Sequence, residues 1–239
     1  MLSQNDIVYV LREGENPELK YSLRSVEKNF PHRKVVFVGG KPDGLEPDLY
    51  IPAEQTQDKW HNSQDLILKA CLDDRLSENI ILFNDDFFVL KPIKALPVYV
   101  NRTLPELARL VTHNGKRESE YITKRINPCI EKLKARGLPL VNYELHLPME
   151  INRAKMAKIY SINPLPEAKR SFYGNLYRIR GQEIDPYKMN DGSVQSLNGE
   201  YKVGRTFIST TDESWQGRVG EQIRELFPTP SQYELKKSK

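Results

Sequence analysis

The chain of 239 residues holds only two cysteines, Cys71 and Cys129, and neither belongs to a C-x-x-C pair. That excludes a zinc ribbon and a disulfide scaffold, and it fits a reducing compartment. Long hydrophobic runs are missing too. No apolar stretch approaches the roughly 18–20 residues that a membrane span needs. The opening MLSQNDIVYVL has neither a basic region nor a long apolar core, so the expectation is a cytoplasmic protein without a secretory signal. No internal repeat and no linker-like stretch divides the chain. What is present is a globular composition: 38% hydrophobic residues, 28% charged ones, and 12 Tyr with 8 Phe, too many aromatics for a disordered chain. A chain of this length buries roughly 70% of its unfolded surface, so one domain over residues 1–239 is expected.

The net charge of +4 is unevenly spread. Residues 114–136 hold seven basic side chains against three acidic ones, and residues 153–180 hold seven against Glu167 alone. Such asymmetry points to an anionic partner, a phosphate or a nucleic acid. The first cluster also reads as an ordinary solvated helix face. The second is interleaved with Tyr160, Phe172, Tyr173 and Tyr177, which favours a ligand.

DIVYVL (6–11) is short, apolar and β-branched, and reads as a buried strand. Asn16 is placed to cap a helix, Pro17 suits its first turn, and Glu18 suits its positive end. Leu19, Leu23, Val26 and Phe30 share one face of that helix, and Pro31 ends it. KVVFVGG (34–40) is a second strand, reached by a connection long enough for a right-handed parallel crossover. A short strand is predicted at Leu49–Ile51. Asn62 or Ser63 then caps a second helix, with Leu68, Cys71, Leu72 and Leu76 as its buried stripe. Cys71 is thereby a core residue rather than a reactive thiol. ENIILFNDDFFVL (78–90) is a third apolar strand. The alternation predicts an α/β fold, a mainly parallel sheet flanked by helices. Beyond Pro92 the pattern blurs into a helical and loop elaboration. Helix is expected over 103–136, with breaks at Gly115 and Pro128, and an extended segment over 141–151. Helix over 152–160, loops over 164–205, a strand over 206–212 and a last amphipathic helix over 213–227 complete it.

Asn84-Asp85-Asp86 is the sharpest feature. Unpaired charge is costly inside an apolar run, so these carboxylates call for a cation or hydrogen-bonded partners. In open α/β sheets, ligands gather at the carboxyl ends of strands. Adjacent carboxylates there suit a hard divalent ion, Mn²⁺ or Mg²⁺, shared with substrate phosphates. In an extended chain Asp85 and Asp86 face opposite sides, so a bend is needed to bring both to one ion. The plain alternative is an Asx turn with solvated acids.

ELKYSLRS (18–25), the Asn62-Ser63 helix start and NDDFF (84–88), with LHLPME (145–150) as a looser block, resemble the Stealth family of sugar-phosphate transferases. The resemblance is stronger to the short Stealth-like glycosyltransferases of bacteriophage genomes. It implies a GT-A-like, Rossmann-like fold, with residues 1–92 as the nucleotide-sugar-binding half and 93–239 as the acceptor side. It implies Asp85 and Asp86 as metal or donor ligands, Mn²⁺ or Mg²⁺ as cofactor, and His146 as a third ligand or acid/base. Asn62 would contact the donor from a helix N-terminus, and Arg24 would lie near the donor phosphates; Arg12 and Asn84 join them as donor-binding candidates. A UDP-sugar is the expected donor. The opening DIVYVLREGEN stands where the family has VVYTWVDG, so the Asp of that block is missing, and transfer of a sugar or of a sugar-phosphate stays open.

Other residues stand on their own chemistry. His146, between Leu145 and Leu147, also reads as a hydrogen-bonded core histidine. His61 beside Trp60 is a candidate for stacking on a base or sugar. Arg170 and Asn175, in RSFYGN, suit a loop closing over a phosphate and a sugar ring, or a structural turn. Asp212 is a third carboxylate or the cap of the last helix, with Trp215 as anchor. The base that deprotonates an acceptor hydroxyl is one of Asp85, Asp86, His146 and Asp212. The acceptor is a hydroxymethylated base in phage DNA, which requires phosphate contacts and an extruded base, or a cell-surface polysaccharide. A non-catalytic nucleotide- or nucleic-acid-binding module is the competing class.

Overall fold

The three apolar runs of the N-terminal half fold as parallel strands. In the computed structural model they are β1 (Asp6–Leu11), β2 (Val35–Gly39) and β4 (Asn79–Phe83), joined by α1 (Pro17–Asn29), β3 (Leu49–Pro52) and α2 (Lys59–Leu72). The described residues are 2–111, 120–162, 168–184, 188–189 and 205–235. The other labelled elements are β5 (Phe87–Val89), β6 (Met149–Asn152), β7 (Lys188–Met189), β8 (Phe207–Thr210), α3 (Asp212–Gln216) and α4 (Arg218–Leu226). The chain divides into two units. The first comprises Met1–Leu96, His146–Ile151 and Tyr187–Lys239; the second comprises Pro97–Leu145 and Asn152–Pro186.

In the first unit a five-stranded sheet has the order β3-β2-β1-β4-β6. β1 is parallel to both β2 and β4, and β2 to β3. A second sheet has the order β5-β8-β7, with β8 antiparallel to β5 and parallel to β7. The run read as one strand over 78–90 is therefore two strands in two sheets, and Asn84–Asp86 is the turn between them. The expected bend exists, closed by Phe87 N–H on Asn84 O (3.3 Å).

Helix α1 follows the expectation: Asn16 caps it, Pro17 opens it, and Leu19, Leu23 and Val26 are fully buried. Its inner face also carries Ser22, Ser25 and Asn29, all buried, and β5 explains them. Ser22 Oγ donates to Phe87 O, Val89 N–H donates to Ser25 Oγ, and Asn29 Nδ2 donates to Val89 O. A strand only three residues long thus has the backbone groups facing α1 satisfied by side chains. Trp215 stacks on Phe88, their planes 9° apart, and seats α3 on the second sheet.

Three local expectations are corrected. Asp58, not Asn62 or Ser63, caps α2, accepting from Trp60 N–H and His61 N–H. Leu66, Ala70, Cys71 and Leu76 are buried while Leu72 is 67% exposed; Leu72 lies six residues, about 240° of helix, round from Leu66. The helix expected over 213–227 is two, parted at Gly217, whose backbone is extended.

The second unit is mainly helical: Leu104–Val111, Asn127–Lys134, Arg153–Ile159 and Lys169–Leu176, with one π-helical segment, Ile122–Ile126, running into Asn127–Lys134. Leu104, Ile126, Cys129, Leu133, Met156, Ile159 and Phe172 are buried in it. Pro128 opens a helix rather than breaking one; the break expected at Gly115 lies outside the described residues. RSFYGN is helix, not loop. Its Gly174 lies against Tyr143, where a Cβ would meet the ring at 2.5 Å. Among the described residues no helix is long and apolar enough to cross a membrane.

Candidate active site

β1 and β4 are neighbours and parallel, so the segments following them emerge at one edge of the sheet. After β4 the chain turns through Asn84, Asp85 and Asp86. Asp86 is 8% exposed, and its Oδ1 is buried without a hydrogen-bond partner. Its Oδ2 faces Lys188 Nζ at 3.4 Å and His146 Nδ1 at 4.0 Å. Burial drives the Asp86 carboxyl up to about 6; Lys188 pulls it down and Asp85 pushes it further up. Asp85 is half-buried. Asn16, besides capping α1, donates Nδ2 to Asp85 Oδ2, and Asp86 N–H donates to Asp85 Oδ1 (3.1 Å). The bend thus turns Asp85 back over the start of α1, whose N-terminal end favours negative charge.

Two further side chains belong to the cluster: Glu18, which the sequence marks only as a first-turn acid, and Lys188, which it does not mark. Glu18, in the first turn of α1, accepts from Thr210 Oγ1 at 2.6 Å. Burial raises its carboxyl to about 7 against the pull of Thr210, and Asp86, Asp85 and Asp212 add to the rise. Lys188, on β7, lies in a segment rich in Gly, Pro and Asn that carries no periodic pattern. Thr210, at the end of β8, also donates its N–H to Asp86 O (3.2 Å). The cluster therefore draws on α1, the β4–β5 turn, His146 in the segment leading into β6, β7 and β8.

Among the described residues no group of three or more His, Cys, Asp or Glu is placed to hold a metal ion unaided. The expected set of Asp85, Asp86 and His146 is thus only loosely assembled: His146 is beside Asp86, 48% exposed, at hydrogen-bonding range of neither oxygen as placed. Asp212 is exposed in the first turn of α3; Thr211 is the cap, with Ser214 completing a capping box, which corrects the alternative role expected of Asp212.

The remaining candidates lie elsewhere. Arg24 is buried and spends its guanidinium inside the fold, on Glu234 Oε1 and Oε2 (2.7 and 2.8 Å) and on the carbonyls of Phe227 and Pro228. Asn62 pairs with the backbone N–H and C=O of Gln57. His61 Nδ1 meets the capping Asp58 at 2.6 Å. Asn175 is buried in the second unit on Val141 and Ser171, where Arg170 Nη1 donates to Leu145 O (3.2 Å). Arg12 is exposed and Asn84 half-buried.

A hollow of about 740 Å³ opens at the carboxyl ends of β1, β2 and β3, lined among others by Glu13, Gly40, Lys41, Tyr50 and Glu54. A Cβ on Gly40 would sit 2.2 Å from Arg12 O, and Gly39 has φ +97°. The glycine pair lets the loop after β2 lie directly on the loop after β1. Tyr50 donates its hydroxyl to Gly39 O (2.8 Å), and Lys41 Nζ stands 5.6 Å from its ring centre.

No protein-family model matches the chain, and no curated protein does. Solved structures do. An active-site mutant of LgtC matches at TM-score 0.50 and 11% identity, over 95% of this chain and 96% of that one. The galactosyltransferase LgtC in complex with donor and acceptor sugar analogs matches at 0.49 and 12%, with the same coverage. A glycosyltransferase involved in glycosylation of the major capsid of PBCV-1 matches at 0.41 and 13%, over 94% and 98%. The chain shares the GT-A fold of LgtC, a mainly parallel α/β sheet flanked by helices.

Proposed function

We propose that the chain is a metal-dependent glycosyltransferase that moves a sugar from a UDP-sugar to a hydroxyl acceptor. The observation that carries this reading is Asp86. A buried carboxylate oxygen without a partner, beside a second carboxylate at the ligand-binding edge of this sheet, is costly unless a ligand completes it. The donor set suits Mn²⁺ or Mg²⁺, with Asp85 and Asp86 as the holding residues and His146 as the further protein group in reach. When bound, such an ion neutralises charge on the leaving nucleoside diphosphate.

The rest of the chemistry falls to the chain's own groups. The hollow at β1–β3 takes the nucleoside, with the Tyr50 ring as a face for the base and Glu13 or Glu54 as acceptors for ribose hydroxyls. With Asp85 and Asp86 committed to the ion, the acceptor's proton goes to Glu18, His146 or Asp212. Burial raises the Glu18 carboxyl to about 7, towards the working range that suits a general base. The acceptor oxygen bonds to the anomeric carbon as that carbon's bond to the diphosphate breaks.

For the acceptor we favour a hydroxymethylated base in DNA. The second unit holds 16 basic side chains against eight acidic ones, the balance a phosphate backbone requires. Such an acceptor also agrees with a cytoplasmic enzyme. The test is a nucleotide-sugar panel with Mn²⁺ and a hydroxymethylated duplex, read by mass spectrometry. Release of UDP and a hexose mass on the DNA is expected; release of UMP with a sugar-phosphate on a polysaccharide is the outcome of the Stealth-type reaction. Undiminished Mn²⁺-dependent turnover in D86A would remove the assignment.

A further inference from the structure

We infer that Lys188 is the resident counter-ion of Asp86, and that it yields this place when the divalent ion and the nucleotide arrive together. The inference rests on the metal-dependent reading above and deepens it.

A carboxylate as buried as Asp86 needs compensating charge. Lys188 is the cation set against it, at 3.4 Å, and His146 stands further off at 4.0 Å. The compensation is loose. The contact is long for a charge-assisted hydrogen bond, and Oδ1 has no partner at all. A divalent ion on Asp86 would stand within a few ångströms of the ammonium, and like charges that close repel strongly in a partly buried site. One of them has to go. The lysine can: its side chain is 30% exposed and ends a flexible four-carbon stem. Its backbone need not follow, because β7 is pinned on β8 by the pairs Ser209–Lys188 and Thr210–Met189. The anion that can rehouse the ammonium is the nucleotide's diphosphate, brought to the same edge.

A linkage follows. Metal alone must evict Lys188 without bringing it a new anion, whereas metal with nucleotide supplies one. Metal and nucleotide therefore strengthen each other's binding, by the same factor in both directions.

Calorimetry on the full chain tests this with MnCl₂ alone, UDP alone and the two together. In wild type, UDP is expected to raise Mn²⁺ affinity by a factor in the roughly 5–150-fold range usual for linked sites. K188Q is expected to bind Mn²⁺ alone about tenfold more tightly than wild type and to lose most of the enhancement by UDP. K188M, keeping the apolar stem, serves as a second neutral variant, and K188R is expected to retain the wild-type pattern. Equal Mn²⁺ affinity in wild type and both neutral variants, or an undiminished UDP effect in them, overturns the role of Lys188 while leaving the metal reading intact. Absence of Mn²⁺ binding to wild type and variants, with UDP or without, sinks both.

Discussion

Asp86 and Glu18 are acids held protonated beyond their ordinary range, to about 6 and about 7, in each case chiefly by burial. Between about pH 4 and 7 the folded chain therefore retains protons that the unfolded chain has released. Stability of the metal-free protein should fall as pH rises through that window and level off above it. Thermal melts at pH 5 and pH 7.5 check this: wild type melts lower at pH 7.5, D86N narrows the difference, and E18Q removes most of the remainder. A D86N profile as steep as wild type would contradict it. The same residues show what could be read in advance. Asp85 and Asp86 were legible because charge interrupting an apolar run has few structural excuses. Glu18 was not, because an acid in a helix's first turn already has one. Lys188 was not, because no periodicity surrounds it. Arg24, Asn62 and Asn175 were named by resemblance or by composition, and each has its hydrogen bonds inside the fold.

At the scale of elements, α1 is fastened to the C-terminal segment. Arg24 forks onto Glu234, Lys20 adds a 3.2 Å contact to the same carboxylate, and Leu45 bridges Glu234 through the backbone. Burial pushes the Glu234 carboxyl up, but Arg24, the Ser231 N–H and Lys20 together outweigh it and hold it at about 2. Its contribution is complete above about pH 4.5 and is lost as pH falls towards 2. Removing Arg24 leaves the buried Glu234 carboxylate with the half-exposed Lys20 as its charged partner and the Ser231 N–H, so R24M should cost up to roughly 3–5 kcal/mol in urea unfolding. R24M/E234M should recover much of that. A loss below about 1 kcal/mol for R24M would mean that the pair is solvated, as surface pairs are. The βαβ elements were legible because their strands are unbroken apolar runs. The second sheet was not, since β5, β7 and β8 are two to four residues long and β8 pairs with β5 across more than a hundred positions. Strands that short carry no countable period.

For the whole molecule, the charge divides with the fold. The second unit has a surplus of +8 by sequence, against +4 for the chain, leaving −4 on the first. The clusters were plain in the sequence; the partition was not, since no linker marks where the chain passes between units. If DNA is the acceptor, binding should weaken steeply with salt, the log–log slope changing by about 0.9 for each phosphate neutralised. K134A/K158A, both exposed or half-exposed in the second unit, should flatten that slope by about 0.9 for each phosphate left without its lysine, while UDP binding stays unchanged. Salt-insensitive binding, or no binding, would favour an uncharged acceptor. One arrangement has a bearing on biosynthesis. Asp86 meets a lysine made 102 residues after it, and Glu18 a threonine made 192 residues after it. A nascent chain stalled or cleaved ahead of residue 188 would carry both aspartates yet present an unfinished cradle. The ribosome must translate past residue 210 before this cluster can close.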